Sequence, residues 1–153
     1  MKILIIYKSK HNENTLKIAE AMSEVAPVTL AEIGDAGNYN LKEYNIIGFG
    51  SGIYFGKHDK SLFDFVQKLD NENLNTFVFS TSGSGNFNKN NGALIKLLKE
   101  KNKTVLDSFG CKGLDKFFIF ALCGGLNKGK PDIEDFEKSQ QFILRVIEKY
   151  NTL

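Results

Sequence analysis

The stretch I-L-I-I-Y-K-S-K-H-N-E-N-T, residues 3–15, decides the fold predicted for this chain. Its first four residues form an apolar run typical of a buried strand, and the residues after them are polar. Ile18, Met22 and Val25 then recur at three- and four-residue spacing, which predicts a helix over 14–25. The first amides of a helix lack carbonyl partners and carry about half a positive charge. This strand–loop–helix junction therefore predicts a site for an anion such as a phosphate monoester.

The rest of the chain alternates between apolar runs typical of strands and runs with helical periodicity. This alternation is typical of an α/β protein whose parallel sheet is covered by helices on both faces. Strands are predicted over residues 2–7, 28–31, 45–49, 76–80 and 104–109. Helices are predicted over residues 14–25, 60–69, 92–101 and 133–150. Residues 114–130, with the strand-like run 116–122, do not fit this minimal unit and are interpreted as an insertion that extends or splits the last strand.

Length and composition indicate a single folded domain over residues 1–153. No apolar stretch approaches the roughly 20 residues of a membrane span, and the N-terminus lacks a signal-peptide pattern. We therefore expect a cytoplasmic protein without a membrane span. Cys111 and Cys123 are too few and too far apart for a metal or redox motif, which favours two free thiols. The net charge is +2 without a long block of like charges, so no nucleic-acid-binding surface is expected.

Three polar loops follow the ends of the first, third and fourth predicted strands. In an open parallel sheet, ligands bind beyond the carboxyl ends of the strands, where the strand order reverses. One such loop is a weak sign of a site, whereas three loops at one sheet edge are a stronger one. The candidate cofactor-binding residues are Ser9, Lys10, His11, Asn12, Asn14 and Thr15 in the first loop, Ser51, Gly52, Ile53, Tyr54, Phe55 and Gly56 in the second, and Thr81, Ser82, Gly83, Ser84 and Gly85 in the third.

Each loop suits one part of flavin mononucleotide (FMN). The first offers hydroxyls and backbone N–H groups to the phosphate, and we expect His11 to contact it as well. This loop contains no G-x-x-x-x-G-K-[ST] motif, which disfavours a nucleoside triphosphate with magnesium. The second loop provides Tyr54 or Phe55 to stack on the ring beside conformationally free glycines. In the third loop, the backbone can approach the ring edge while Phe87 covers the far face, and His58 is expected to face solvent.

Charge near the three loops is uneven. A carboxylate at Glu13 would repel a dianionic phosphate, so we expect it to face solvent or to pair with Lys10 or Lys17. Residues 101–130 carry more lysines than acidic residues and form a candidate docking surface for an acidic redox partner, although a solvated face is the simpler interpretation. The lysines of this stretch are Lys101, Lys103, Lys112, Lys116, Lys128 and Lys130.

The order of elements and three segments together resemble the flavodoxins over essentially the whole chain. The segments are S-K-H-N-E-N-T-L-K-I-A at 9–19, G-S-G-I-Y-F-G at 50–56 and S-T-S-G-S-G at 80–85. The resemblance implies a flavodoxin-like three-layer sandwich, a doubly wound α/β fold with a five-stranded parallel sheet in the order 2-1-3-4-5. It also implies non-covalent FMN, with the phosphate on the first loop and the ring between the second and third. Single-electron transfer between redox protein partners, a reductase and an acceptor, is the function it implies.

Other functions on the same fold are also considered. An FMN-dependent oxidoreductase, either a quinone reductase or a flavin-dependent oxidase, is the alternative and would need a substrate cavity over the ring. A phosphoacceptor signalling domain is excluded because the first and third strands do not end in an acidic cluster. A binding module without a cofactor would follow only if Glu13 blocks the phosphate. The sequence offers no acid–base pair, metal site or activated nucleophile, so no catalytic residue is predicted.

Overall fold

The structure is a computed structural model that describes residues 1–10, 12–70, 72–113 and 127–153. Its strands are β1 (Ile3–Lys8), β2 (Val28–Glu32), β3 (Ile46–Tyr54), β4 (Lys57–His58), β5 (Asn75–Ser82) and β6 (Thr104–Lys112). Its helices are α1 (Asn14–Ser23), α2 (Lys60–Lys68), α3 (Phe87–Glu100) and α4 (Ile133–Asn151). Two short 3₁₀ turns, Ile33–Asn38 and Leu41–Glu43, connect β2 to β3. None of the helices in the described ranges is long and apolar enough to cross a membrane.

The five long strands form a parallel sheet in the order β2-β1-β3-β5-β6. This confirms the predicted doubly wound topology, in which the chain first winds outward from β1 to β2 and then returns to β3 on the other side. β4 was not predicted, and it pairs antiparallel with the end of β3. The reversal of strand order therefore lies between β1 and β3, and the loops that follow these strands open at the same edge of the sheet.

Two apolar cores cover the two faces of the sheet. β1 contributes to both because its side chains alternate, with Ile3 and Ile5 in one core and Leu4 and Ile6 in the other, all fully buried. The first core packs α1 and α4 against the sheet, and the second packs α2 and α3. Burying one such side chain contributes about 1.5–3 kcal/mol. Burial on both faces explains why the β1 sequence is an unbroken apolar run.

Glycines in β3 make room for aromatic rings of β5. A Cβ added to Gly48 would lie 2.3 Å from the ring of Phe77, and one added to Gly50 would lie 2.1 Å from the ring of Phe79. Both rings are fully buried in the first core, where Phe77 also packs edge to face on Phe142. The alternating glycines of β3 are therefore a packing feature of the sheet.

Several elements begin or end at residues other than those predicted. β3 continues to Tyr54 rather than ending at residue 49, because its glycine-rich end still pairs with β1 and β5. α3 begins at Phe87 rather than at residue 92. Its first residues were not predicted, because buried Asn90 and Asn91 occupy positions where helical periodicity would call for apolar residues. The strand-like run 116–122 and Cys123 lie outside the described residues, and Cys111 is a buried free thiol.

Candidate functional site

The first loop enters α1 through two residues in the left-handed backbone region. Asn12 and Glu13 each have a φ of 55°. Glu13 is the N-cap residue of α1, yet its side chain makes no capping hydrogen bond. The Leu16 amide lies instead 3.4 Å from Ser9 Oγ, which is a long and weak hydrogen bond. The first turn of α1 thus combines its backbone amides with a weakly engaged hydroxyl, as an anion site requires.

Glu13 is exposed, which confirms that its carboxylate faces solvent. The two lysines considered as its partners are engaged elsewhere, Lys10 with the Asp59 carboxylate and Lys17 with the Asn12 carbonyl. A φ of 55° suits glycine far better than a residue with a Cβ. Glu13 therefore brings both a negative charge and backbone strain to the rim of the predicted anion site.

The second loop, for which the sequence predicted only a glycine-rich segment with aromatic residues, is a tight β-hairpin. β4 pairs with the end of β3 so that Tyr54 lies opposite Lys57. The two residues between them, Phe55 and Gly56, have φ values of 51° and 76°. Positive φ at both central residues is the requirement of a type I′ turn, which an aromatic residue meets only with strain. Phe55 is 98% exposed, so its ring projects from the tip of the hairpin.

Lys10 connects the first loop to the hairpin. Its Nζ lies 2.5 Å from a carboxylate oxygen of Asp59 and 5.1 Å from the centroid of the Tyr54 ring. Tyr54 folds back along β3, since a Cβ added to Gly52 would lie 2.8 Å from its hydroxyl oxygen. Burial acts to raise the pKa of Asp59, but hydrogen bonds from Lys10 and Ser61 outweigh it and leave that pKa below its usual range. Asp59 therefore remains ionised at neutral pH and holds the Lys10 ammonium beside the Tyr54 ring.

His58 is buried, so the prediction that it faces solvent is wrong. Its exposed fraction is 3%, its Nδ1 lies 2.9 Å from Ser51 Oγ, and its Nε2 lies 3.0 Å from Asn91 Oδ1. Burial lowers the pKa of His58 to about 4, and the hydrogen bond with Asn91 opposes that effect only in part. Both partners lie in other elements, β3 and α3, so no local pattern could reveal them. His58 is a neutral residue that anchors the hairpin to α3.

The proton of neutral His58 is assigned by its neighbours. Asn91 Nδ2 donates to the Phe109 carbonyl at 2.9 Å, so its Oδ1 must be the atom that faces His58. The His58 Nε2 therefore carries the hydrogen, and Nδ1 is left as an acceptor. The Ser51 hydroxyl has two acceptors within reach, His58 Nδ1 at 2.9 Å and the Gly52 carbonyl at 2.7 Å. The side chain of Ser51, a predicted site residue, therefore takes part in this hydrogen-bond network, and its oxygen also accepts from the Asp59 amide.

The third loop is joined to the first by two buried hydroxyls. Thr15 Oγ1 of α1 and Thr81 Oγ1 of β5 are 2.9 Å apart. The loop is also held internally, because the Ser84 amide donates to Ser82 Oγ at 3.1 Å and Gly85 has a φ of 72°. The start of α1 and the end of β5 therefore form one polar surface at the sheet edge.

Asn127 also contacts the third loop, although no sequence pattern singled it out. Its Nδ2 donates to the carbonyls of Gly83 at 3.2 Å and Gly113 at 3.3 Å. The Asn14 side chain packs against the backbone of Gly113, since a Cβ added to Gly113 would lie 2.7 Å from Asn14 Nδ2. The segment that precedes α4 is thereby placed beside the candidate site.

The lysines within 101–130 do not form one surface. Lys103 is buried and donates to the backbone carbonyls of Asp70 and Glu72, so it is a structural residue. Lys130 is held in ion pairs at the start of α4. Lys116 lies outside the described residues.

The structure brings candidate residues of all three loops to one sheet edge. Thr15 and Thr81 join the first loop to the third, and Lys10 joins the first to the second. His11 lies outside the described residues. Asp59 was missed as a member of the site because its role depends on a lysine in another loop.

Similarity to known proteins extends over nearly the whole chain. A flavodoxin-domain family model matches residues 4–147. The chain belongs to the flavodoxin family. An uncharacterized protein of Methanocaldococcus jannaschii is 40% identical over 151 residues, which cover 96% of this chain and 99% of that protein.

Solved flavodoxin structures share the fold. A flavodoxin from the domain Archaea is similar with a TM-score of 0.72 at 18% identity, and the match covers 99% of each chain. Flavodoxin 2 of Bacillus cereus gives a TM-score of 0.71 at 24% identity and covers 97% of this chain and 99% of its own. The flavodoxin-like fold predicted from the resemblance is confirmed.

Proposed function

We propose that this flavodoxin-family protein binds FMN non-covalently and carries single electrons between redox proteins. The observation that carries the proposal is the contact between Thr15 and Thr81, whose buried hydroxyls are 2.9 Å apart at the start of α1. This contact sets the helix amides and two polar loops side by side at the reversal of strand order. In a ligand that carries both a phosphate and a ring, the phosphate would bind the helix amides and the ring would lie against the polar loops.

The first turn of α1 fits the phosphate. Glu13 gives the helix no side-chain cap, and among the described residues the Ser9 hydroxyl is engaged only by a long contact to the Leu16 amide. A phosphate in this position would accept from the backbone amides and from the hydroxyls of Ser9 and Thr15, and would gain from the helix macrodipole. Because the Glu13 side chain is exposed, its charge is screened by water and does not exclude the dianion.

The hairpin and the third loop fit the ring. The Lys10 ammonium lies over the Tyr54 ring, so a flavin ring that stacks on that face would take the place of Lys10 at the edge of the sheet. The small third loop allows its backbone to approach a planar ligand. Bound FMN would supply reversible uptake and release of electrons, and the chain would supply binding, orientation and exclusion of water.

The described titratable groups favour a carrier over an enzyme. His58 has a pKa of about 4 and both ring nitrogens in hydrogen bonds, so it is a poor proton donor at neutral pH. Burial, followed by the charge of Asp135, raises the pKa of the Cys111 thiol to about 12, which keeps it from acting as a nucleophile. An FMN-dependent quinone reductase or oxidase would have to draw its acid–base chemistry from elsewhere.

The proposal is tested by titrating the apoprotein with FMN and with riboflavin while flavin fluorescence is recorded. We expect saturable quenching by FMN and affinity for riboflavin at least about tenfold weaker, because only FMN carries the phosphate. Equal affinity for the two would refute the phosphate site, and no binding of FMN would refute the cofactor assignment. Turnover of quinones with NAD(P)H by the FMN-loaded protein alone would favour the enzyme over the carrier.

A further inference from the structure

Four exposed lysines surround the hairpin and the third loop. They are Lys57 in β4, Lys89 in the first turn of α3, Lys112 at the end of β6 and Lys128 before α4. Within the described parts of the chain, none of the four forms an ion pair. We call these four lysines the basic face.

The elements that carry the basic face are fastened to one another. The His58 Nε2 contact with Asn91 Oδ1, 3.0 Å long, fixes β4 to α3. A Cβ added to Gly85 of the third loop would lie 3.4 Å from the Lys112 side chain, so that lysine extends over the loop. The hydrogen bond from Asn127 to the Gly83 carbonyl places Lys128 beside the same loop. The segments that carry the four lysines are therefore joined around the third loop and the hairpin.

Among the residues that the structure describes, neighbouring carboxylates do not neutralise this surface. The sequence contains no acidic residue between Glu72 and Glu100, the stretch that includes the third loop and most of α3. Asp59 and Asp132 are already paired, with Lys10 and Lys130. The exposed carboxylate of Asp35 follows β2, which lies at the opposite edge of the sheet from β6.

An aromatic side chain stands at the edge of the basic face. Phe55 is 98% exposed and occupies a strained backbone position with a φ of 51°. Exposure of a large aromatic ring is unfavourable in isolation, and aromatic residues are enriched among the residues that dominate binding energy at protein interfaces. The hairpin holds this ring away from the body of the domain, where a partner can contact it.

We propose that the basic face and Phe55 form the docking surface for an acidic redox protein. The partner would present carboxylates to the four lysines and an apolar hollow to the Phe55 ring, next to the proposed flavin edge. The electron-transfer purpose of this complex rests on the proposed function, whereas the docking itself depends only on residues of this chain. Opposite charges around the site would steer encounter and favour one orientation of the partner.

The proposal is tested with the full-length protein and two small redox proteins of opposite charge. Reduced plant-type ferredoxin is the acidic probe and mitochondrial cytochrome c is the basic probe. Calorimetry at low ionic strength should give binding of ferredoxin, with an affinity that falls steeply as salt is added, and no binding of cytochrome c. Tighter binding of cytochrome c would overturn the proposal.

Two charge-matched variants separate the basic face from net charge. In the first, Lys57, Lys89, Lys112 and Lys128 are replaced by Gln. In the second, four lysines at the opposite edge, Lys2, Lys68, Lys99 and Lys101, are replaced by Gln. We expect the first variant to lose about tenfold or more in ferredoxin affinity and the second about twofold or less. Equal losses in the two variants would refute a localised docking surface.

A third variant examines the aromatic element. Phe55→Ser should weaken ferredoxin binding without changing its salt dependence, because the substitution removes apolar contact and no charge. Unchanged affinity would remove Phe55 from the docking surface. All three measurements are made with and without FMN, so a failure to bind FMN would count against the proposed function while leaving the docking result intact.

Discussion

The hydroxyl oxygens of Thr15 and Thr81 lie 2.9 Å apart although 66 residues separate them in the sequence. This contact ties the first turn of α1 to the end of β5, and both residues are buried. Replacing Thr15 with Val should weaken FMN binding about tenfold, because it removes a phosphate donor and leaves the Thr81 hydroxyl without this partner. Titration of flavin fluorescence measures the change.

Two controls accompany this prediction. Thr15→Ser keeps the hydroxyl and should bind FMN nearly as the unmodified protein does. Riboflavin affinity should be much less affected by Thr15→Val, since riboflavin has no phosphate to lose. An equal loss for both ligands would place Thr15 near the ring instead.

Glu13 combines backbone strain with an unfavourable charge. Glu13→Gly should raise the free energy of unfolding by about 1 kcal/mol, because glycine accepts a positive φ without the Cβ clash. It should also tighten FMN binding, since the carboxylate no longer repels the phosphate. Glu13→Gln removes only the charge, so it should improve FMN binding without raising stability. Identical urea-unfolding curves for the two variants would contradict the assignment of strain at this position.

Because Gly50 packs closely against the Phe79 ring, adding one methyl group at Gly50 should strongly lower the free energy of unfolding. A Cβ at Gly50 would lie 2.1 Å from that ring, so Gly50→Ala should destabilise the protein by about 2–3 kcal/mol. The double variant with Phe79→Leu should lose less than the sum of the two single variants, because the smaller side chain admits the methyl. Gly37→Ala is the matched control, since a Cβ there meets nothing within 4 Å. Additive losses in urea unfolding would show that the two positions do not interact.

Because His58 is buried in its neutral form, the stability of the folded protein should depend on pH. Its pKa is lowered from an ordinary 6.5 to about 4 in the folded protein by burial. Between these values the unfolded chain binds a proton that the folded chain does not, so the free energy of unfolding should fall as the pH is lowered from 6.5 to 4. The full effect of this one residue is about 3 kcal/mol. Chemical denaturation at several pH values measures it.

His58→Gln is the control for this pH dependence. Glutamine can still donate towards Asn91 but does not titrate, so the difference in stability between the two proteins should itself vary between pH 6.5 and 4 and level off below. A difference that is constant over this range would show that other groups, such as the carboxylates of Asp59 and Glu32, account for the loss at low pH.

The fold could be predicted because its signals are local. The apolar run of β1 and the spacing of Ile18 and Met22 each reflect burial against the sheet, and burial leaves a periodic pattern in the sequence. The extra turn and a half of α3 was missed because Asn90 and Asn91 are buried polar residues that interrupt this pattern. Asn91 can be buried because its side-chain amide forms hydrogen bonds with His58 and with the Phe109 carbonyl.

The sequence predicted which loops form the candidate site but not the contacts between them. Composition identified three polar loops, and the topology required them to share one edge of the sheet. The contacts that give the edge its geometry join residues far apart in the sequence, as Lys10 with Asp59 and Asn127 with Gly83. The hairpin is local, but its strand pairing was not predicted, because an aromatic residue seldom adopts the positive φ found at Phe55.

The hairpin tip also offers a spectroscopic handle. The chain contains no tryptophan, so Phe55→Trp would create the sole indole fluorophore of the protein. At a position that is 98% solvent-accessible, its emission should be red-shifted in the apoprotein and quenched by energy transfer when a yellow chromophore occupies the adjacent edge. Time-resolved decay of that single emitter would then report how the hairpin moves as ligand and partner arrive.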